Sequence, residues 1–231
     1  MRPMLKLKSL GHACFTLTTP QHSIIFDPWL AENPDAVCSP DEIEVDAILT
    51  SHGHSDHLGD AVAISKRLQV PIIAPFELAM YCTRLGCETA PMHIGGGRAF
   101  DFGHVKLTMA THGSAVITDD LIEYTGPPCG FLVTMDDATI YYAGDTGLFG
   151  DMELIGEMAD LAAAILPIGD NFTMGPEDAI RAAEMLQADV VVPMHYSAFE
   201  IIKQDAVAFA RSLDDIGIAC TVLNPGEELE I

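Results

Sequence analysis

Residues 45–57 read VDAILTSHGHSDH, an apolar run that ends in four potential metal ligands, His52, His54, Asp56 and His57. Such a run, bounded by polar residues, predicts a buried strand over 45–50. The ligands follow within six positions, a spacing that suits a loop, in which alternate side chains converge on one point. With 9 histidines in 231 residues, H-x-H-x-D-H arises by shuffling about once in a thousand such chains, so the pattern is a strong signal. Residues 60–68 predict a short helix leaving the loop, which places the motif in a strand-to-helix connection.

Outward from this point the chain divides into two stretches of similar plan. Upstream, short strands are predicted over 5–9, 14–18 and 23–26, an antiparallel meander; downstream, 71–74 and 75–85 form another strand and helix. The second stretch has a strand over 105–110, then strands over 131–135 and 139–143 around an Asp136-Asp137 turn. Strands over 161–167, 190–193 and 219–223 then alternate with helices over 176–186 and 205–213. No linker or short-period repeat intervenes, so residues 1–231 are expected to form one α/β domain of two similar halves.

Three more ligand types stand just beyond apolar strands: His112 after VKLTMAT, Asp145 after ATIYYAG and His195 after DVVVPM. Side chains at strand ends lie on a sheet rim, where both halves can meet over one cleft. Five histidines and two aspartates then suffice for two metal ions.

Composition narrows the classes. The apolar share of 49% supports a large core, and the charge of −23 repels phosphate backbones and anionic membranes. No apolar run reaches the roughly 20 residues of a membrane span, and residues 1–15 alternate rather than forming a signal-peptide core. A cytoplasmic protein is expected, acting on a small molecule, with neither nucleic acid nor membrane as partner; exposed apolar patches would allow a homo-oligomer. Six cysteines at 14, 38, 82, 87, 129 and 220 contain no C-x-x-C pair and are expected to stay reduced.

Through HGHSDH, THG at 111–113, GDTG at 144–147 and MHY at 194–196, the chain resembles the metallo-β-lactamase superfamily. FDPW at 26–29, LPIGDNFTMGP at 166–176 and VPMHYSAFE at 192–200 resemble its compact metal-dependent hydrolases of the UPF0173 type, relatives of ascorbate-phosphate lactonases. The resemblance implies a four-layer αββα sandwich. It also implies that His52, His54 and His112 bind one metal and Asp56, His57 and His195 a second, with Asp145 bridging. Relatives that perform redox chemistry with two irons usually carry glutamate at the second motif histidine; His54 here favours hydrolysis. The ligands suit two divalent ions, Zn²⁺ foremost, with Mn²⁺, Fe²⁺, Co²⁺ or Ni²⁺ also accommodated. A hydroxide shared between the metals would attack an ester, lactone or phosphodiester bond of a small molecule, with Asp56 and Asp145 as the catalytic carboxylates. A metal-dependent nuclease and a non-catalytic metal-binding module are the alternatives; the acidic composition counts against the first.

Several residues keep two readings. Asp27 is either an acceptor orienting a metal-binding imidazole or a turn residue, and His12 either a cleft-wall or substrate contact or a local structural residue. Asp170 and the 171–175 loop either line the pocket or merely precede the helix at Pro176. His22, His93 and His104 have no motif support and are read as structural.

Overall fold

The computed structural model describes residues 5–231, so the first four residues of the alternating N-terminal stretch lie outside it. The first half forms β1 (Lys6–Gly11), β2 (Cys14–Thr18), β3 (Ser23–Phe26), β4 (Ala47–Leu49), β5 (Ile72–Pro75) and β6 (Thr89–Met92). Strands β1 to β3 pair antiparallel, then β3 to β6 pair parallel. The β4–β5 and β5–β6 crossovers carry α1 (Ser55–Leu58), α2 (Ala61–Leu68) and α3 (Phe76–Arg84), the usual way of joining parallel strands.

The second half repeats the plan. It contains β7 (Gly97–Phe100), β8 (Gly103–Met109), the hairpin β9 (Ala115–Ile117) and β10 (Ile122–Tyr124), β11 (Cys129–Met135), β12 (Ala138–Tyr142), β13 (Leu161–Pro167) and β14 (Val191–Met194). Strands β7, β8, β11 and β12 pair antiparallel, and β12, β13 and β14 parallel. Its helices are α4 (Met152–Met158), α5 (Pro176–Leu186) and α6 (Ala206–Asp214), and β15 (Glu228–Glu230) returns to pair with β1. The β11–β12 turn holds Asp136 and Asp137 at φ +47° and +67°, the left-handed pair that a two-residue hairpin favours.

Three apolar clusters define the layers. Phe15, Leu17, Phe26 and Leu49 of the first sheet meet Leu107, Phe131, Ile140 and Tyr142 of the second. On the outer face of the first sheet, Ile48 and Ile72 pack against Ile64 and Leu78 of α2 and α3. On the outer face of the second, Tyr141, Ala164 and Val191 pack against Ala179, Ala183 and Phe209 of α5 and α6. The order is helix, sheet, sheet, helix, the αββα sandwich anticipated above.

Two local expectations are corrected. Residues 219–223 form no strand; Cys220 makes only an isolated parallel bridge to Val191 beyond the edge of β14. The ligand motif is not wholly a loop either. His54 is the N-cap of α1, and Asp56 and His57 lie on that single helical turn. Among the described residues no helix is long and apolar enough to cross a membrane, and all six cysteines are free.

Candidate metal centre

The cluster forms where strand ends of both sheets meet. Strand β4 ends at Leu49 and delivers His52 and His54; the chain after β8 delivers His112, β12 delivers Asp145 and β14 delivers His195. His52 Nε2, His54 Nδ1 and His112 Nε2 converge, with His54 Nδ1 at 3.0 Å from the first and 3.3 Å from the last. On the other side Asp56 Oδ2 lies 3.7 Å from His57 Nε2 and 3.6 Å from His195 Nε2. Asp145 Oδ2 stands between the groups, 4.0 Å from His52, 3.6 Å from His112, 3.3 Å from His57 and 3.2 Å from His195, each measured to Nε2. All seven residues singled out in the sequence thus share one site.

The donor set fits divalent cations. Imidazole nitrogens with one or two carboxylates are the chemistry of zinc and its neighbours. His57 Nε2, His195 Nε2 and Asp145 Oδ1 are buried and form no hydrogen bond, although Asp145 Oδ2 is close to both imidazoles. Buried polar atoms are rarely left so, and inward-facing orphans of this kind are what a cation would satisfy. The triad His52, His54, His112 and the group Asp56, His57, His195, with His12 alongside, each bring ligand atoms within 4.8 Å of one another. Asp27 with His52 and His57 meets the same distance test, but its carboxylate is already saturated by protein donors.

Those donors set the imidazole tautomers. Asp27 is fully buried at the end of β3 and held at φ +40°. Its Oδ1 accepts from the Ser51 amide at 2.7 Å. Its Oδ2 accepts from Ser51 Oγ at 2.6 Å, His57 Nδ1 at 2.7 Å and the Tyr142 hydroxyl at 2.7 Å. Since the single Ser51 proton goes to Asp27, Ser51 Oγ accepts from His52 Nδ1 at 2.9 Å. His52 and His57 are therefore both protonated on Nδ1 and present Nε2 to the cluster. Of the two readings of Asp27, the structure shows the orienting acceptor.

His12 is not on the cleft wall. The turn between β1 and β2, with Gly11 and His12 at φ +111° and +57°, drives its imidazole inward until the side chain is fully buried. There Nε2 bonds Asp56 Oδ2 at 3.2 Å, and the ring lies 4.1 Å from that of His195, centroid to centroid. The His195 amide in turn donates to the His12 carbonyl at 3.2 Å. Asp170 is exposed and accepts from the Asn171 amide at 2.8 Å, whereas Phe172 of the same loop lines the cleft. His22 pairs with Asp46, and His93 stacks on Phe76, both outside the cluster.

Burial and charge sort the protonation states. Burial draws His52, His54 and His112 below the usual imidazole range, so they are neutral bases. Burial alone would do the same to His57 and His195, but Asp145 and Asp56 overcome it, raising His57 well above its ordinary value and His195 to about 9. The same contacts hold both carboxylates well below theirs against the opposing effect of burial. Burial also lowers His12 to about 4.

Sequence reasoning missed Ser51, Tyr142 and the apolar cleft walls. Ser51 immediately precedes the motif, but nothing in its type or spacing marks it as the link between Asp27 and His52. Phe199 lay inside a quoted motif without a role and Ile117 carried no signal, whereas Phe172 belongs to the 171–175 loop for which the pocket-lining reading holds. With Asp56 they border a cleft of about 270 Å³ over the cluster.

The profile of the beta-lactamase superfamily domain matches residues 6–195. The UPF0173 metal-dependent hydrolase YtkL of Bacillus subtilis is 51% identical over 229 residues, 98% of this chain and 100% of that protein. A UPF0173 metal-dependent hydrolase of Pelotomaculum thermopropionicum is 48% identical over 229 residues, with the same shares covered. Among solved structures, Igni18, a metallo hydrolase of the archaeon Ignicoccus hospitalis, superposes with a TM-score of 0.90 at 33% identity, covering 99% of this chain and 98% of its own.

Proposed function

Because the chain belongs to the beta-lactamase superfamily and to its UPF0173 metal-dependent hydrolases, we propose that it holds two divalent cations and hydrolyses an ester, lactone or phosphodiester bond of a small molecule. His52, His54 and His112 would hold one ion and Asp56, His57 and His195 the other, with Asp145 shared. Zn²⁺ is the favoured occupant, and Mn²⁺, Fe²⁺, Co²⁺ and Ni²⁺ suit the same donors. The observation that carries this reading is Asp145 Oδ2, a single buried oxygen within 4.0 Å of histidine nitrogens from both groups.

When bound, such ions acidify water toward neutrality and polarise the bond under attack. The protein's part is to prepare the donors. Asp27 and Ser51 hold the Nδ1 protons of His57 and His52, so Nε2 of each faces inward; His52 offers its lone pair directly, and His57 need only release the Nε2 proton that the neighbouring carboxylates retain in the metal-free protein. His12 steadies the Asp56 oxygen that faces His57 and His195. Asp56 is also open to the cleft, its side chain 21% exposed, and is the ligand placed to pass a proton between cluster and solvent. Asp145, only 3% exposed, stays ionised and supplies charge where the two groups meet.

The test is a screen of esters, lactones and phosphodiesters with metal-loaded protein, chelated protein and Asp145→Ala. Turnover should vanish with chelator, return with metal, and fall about a hundredfold or more in the variant. Activity that survives chelation and is indifferent to Asp145→Ala would overturn the proposal.

A further inference from the structure

Above the ligand cluster the cleft has apolar walls. Ile117 of the β9–β10 hairpin, Phe172 and Phe199 stand over it at 64%, 53% and 39% exposure. Apart from the cluster itself, among the described residues only Ser55 adds a polar side chain to the lining, and none of the described lysines or arginines reaches it. The cations nearest in sequence do not serve: Lys203 pairs with Glu200, and Arg181 with Glu184.

These walls are held in place. Phe199 stacks on Trp29 with ring centroids 5.5 Å apart and planes 22° from parallel, and meets His12 edge-on at 5.7 Å. Phe172 follows Asp170 and Asn171 at φ +58° and +49°. Asp and Asn are among the few types that enter the left-handed region readily, and two in succession turn the next side chain to the cleft. An exposed phenylalanine fixed beside a reactive cluster is an unpartnered contact surface.

Resting on the hydrolase reading above, we propose that the substrate carries, beside its scissile bond, an uncharged apolar group of aryl or branched-alkyl type seated between Ile117, Phe172 and Phe199. Such a group gains by leaving water against these side chains. A second anionic substituent, held away from the ligand cluster, would be set against an apolar wall to which none of the described lysines or arginines reaches, on a chain of net charge −23. Neutral esters and lactones with an apolar arm are thus favoured, and substrates with a charged arm are excluded.

Trp29, the single tryptophan of the chain, reports on this wall through its stack with Phe199. Metal-loaded protein is titrated with phenylacetamide and with its 4-carboxy derivative while Trp29 fluorescence is followed. The neutral compound should saturate and bind about tenfold or more tighter than the anion. Phe172→Ala should weaken it by about tenfold, and Ile117→Arg should reverse the preference. In parallel, turnover of 4-nitrophenyl phenylacetate is compared with that of the anionic 4-nitrophenyl succinate monoester. Equal or tighter binding of the anion, no fluorescence response to the neutral compound, or equal turnover of the two esters would overturn the assignment of the wall. Selective neutral binding without metal-dependent hydrolysis would instead refute the hydrolase reading and leave the ligand class standing.

Discussion

Replacing Asp27 by asparagine keeps the shape of the side chain and removes its charge. The wild-type carboxylate accepts from four donors, three on Oδ2 and one on Oδ1. An amide has only one acceptor oxygen. With that oxygen on the Oδ2 side, its NH₂ faces the Ser51 amide across 2.7 Å, and a buried donor is left without a partner. In the other orientation the NH₂ faces His57 Nδ1, whose proton must move to Nε2 and block the inward lone pair. Either outcome costs about 1–3 kcal/mol. Loss of the carboxylate behind His57 also lowers ligand basicity, so metal affinity should fall about 10–100-fold, or about 1.4–2.7 kcal/mol. Competition with a fluorescent chelator measures the affinity, and urea unfolding with and without EDTA separates the folding cost from it. Wild-type affinity in Asp27→Asn, or loss of stability without loss of affinity, would refute the tautomer argument.

Other outcomes follow from the same geometry. Gly144→Ala should lower the thermal midpoint, by about 2–4 °C for each kcal/mol lost, because the glycine sits at φ +61° and an added Cβ would lie 2.7 Å from the Cys129 carbonyl and 3.0 Å from Ser51 Cβ. The same variant should weaken metal binding, since Asp145 is the next residue; calorimetric unfolding with and without metal checks both. Metal-free protein should lose stability on two flanks of pH. His195 is raised from 6.5 to about 9, so its contribution is complete below pH 6.5 and lost as pH rises through 9. His12 is lowered from 6.5 to about 4, so protonating the unfolded state costs stability as pH falls from 6.5 toward 4. Urea midpoints in EDTA from pH 4.5 to 9.5 should therefore pass through a maximum, and a flat profile between 6.5 and 9 would contradict the charge assignment.

The seven-residue cluster was readable in the sequence because its members follow the ends of locally encoded strands. A strand's apolar run is a property of neighbouring residues, and so are the polar residues that terminate it. Thus 45–50, 105–110, 139–143 and 190–193 predicted strands near their observed places, and His52, His112, Asp145 and His195 followed from their ends. Elements that depend on distant partners escaped. Strand β15, three residues long, owes its existence to pairing with β1 at the other end of the chain. The run at 219–223 has strand composition but meets the sheet through one bridge.

By itself, the sequence determined which residue types stand where backbone direction changes, and so the identity of the seven clustered histidines and aspartates and the class of chemistry they suit. Only the tertiary structure decided how those residues are held and what surrounds them. His12 reaches Asp56 across 44 positions and Tyr142 reaches Asp27 across 115, contacts set by how two sheets pack. The cleft wall of Ile117, Phe172 and Phe199 likewise comes from three separate segments. No local pattern encodes such meetings, because their free energy comes from burial shared among segments that touch only after the chain has folded.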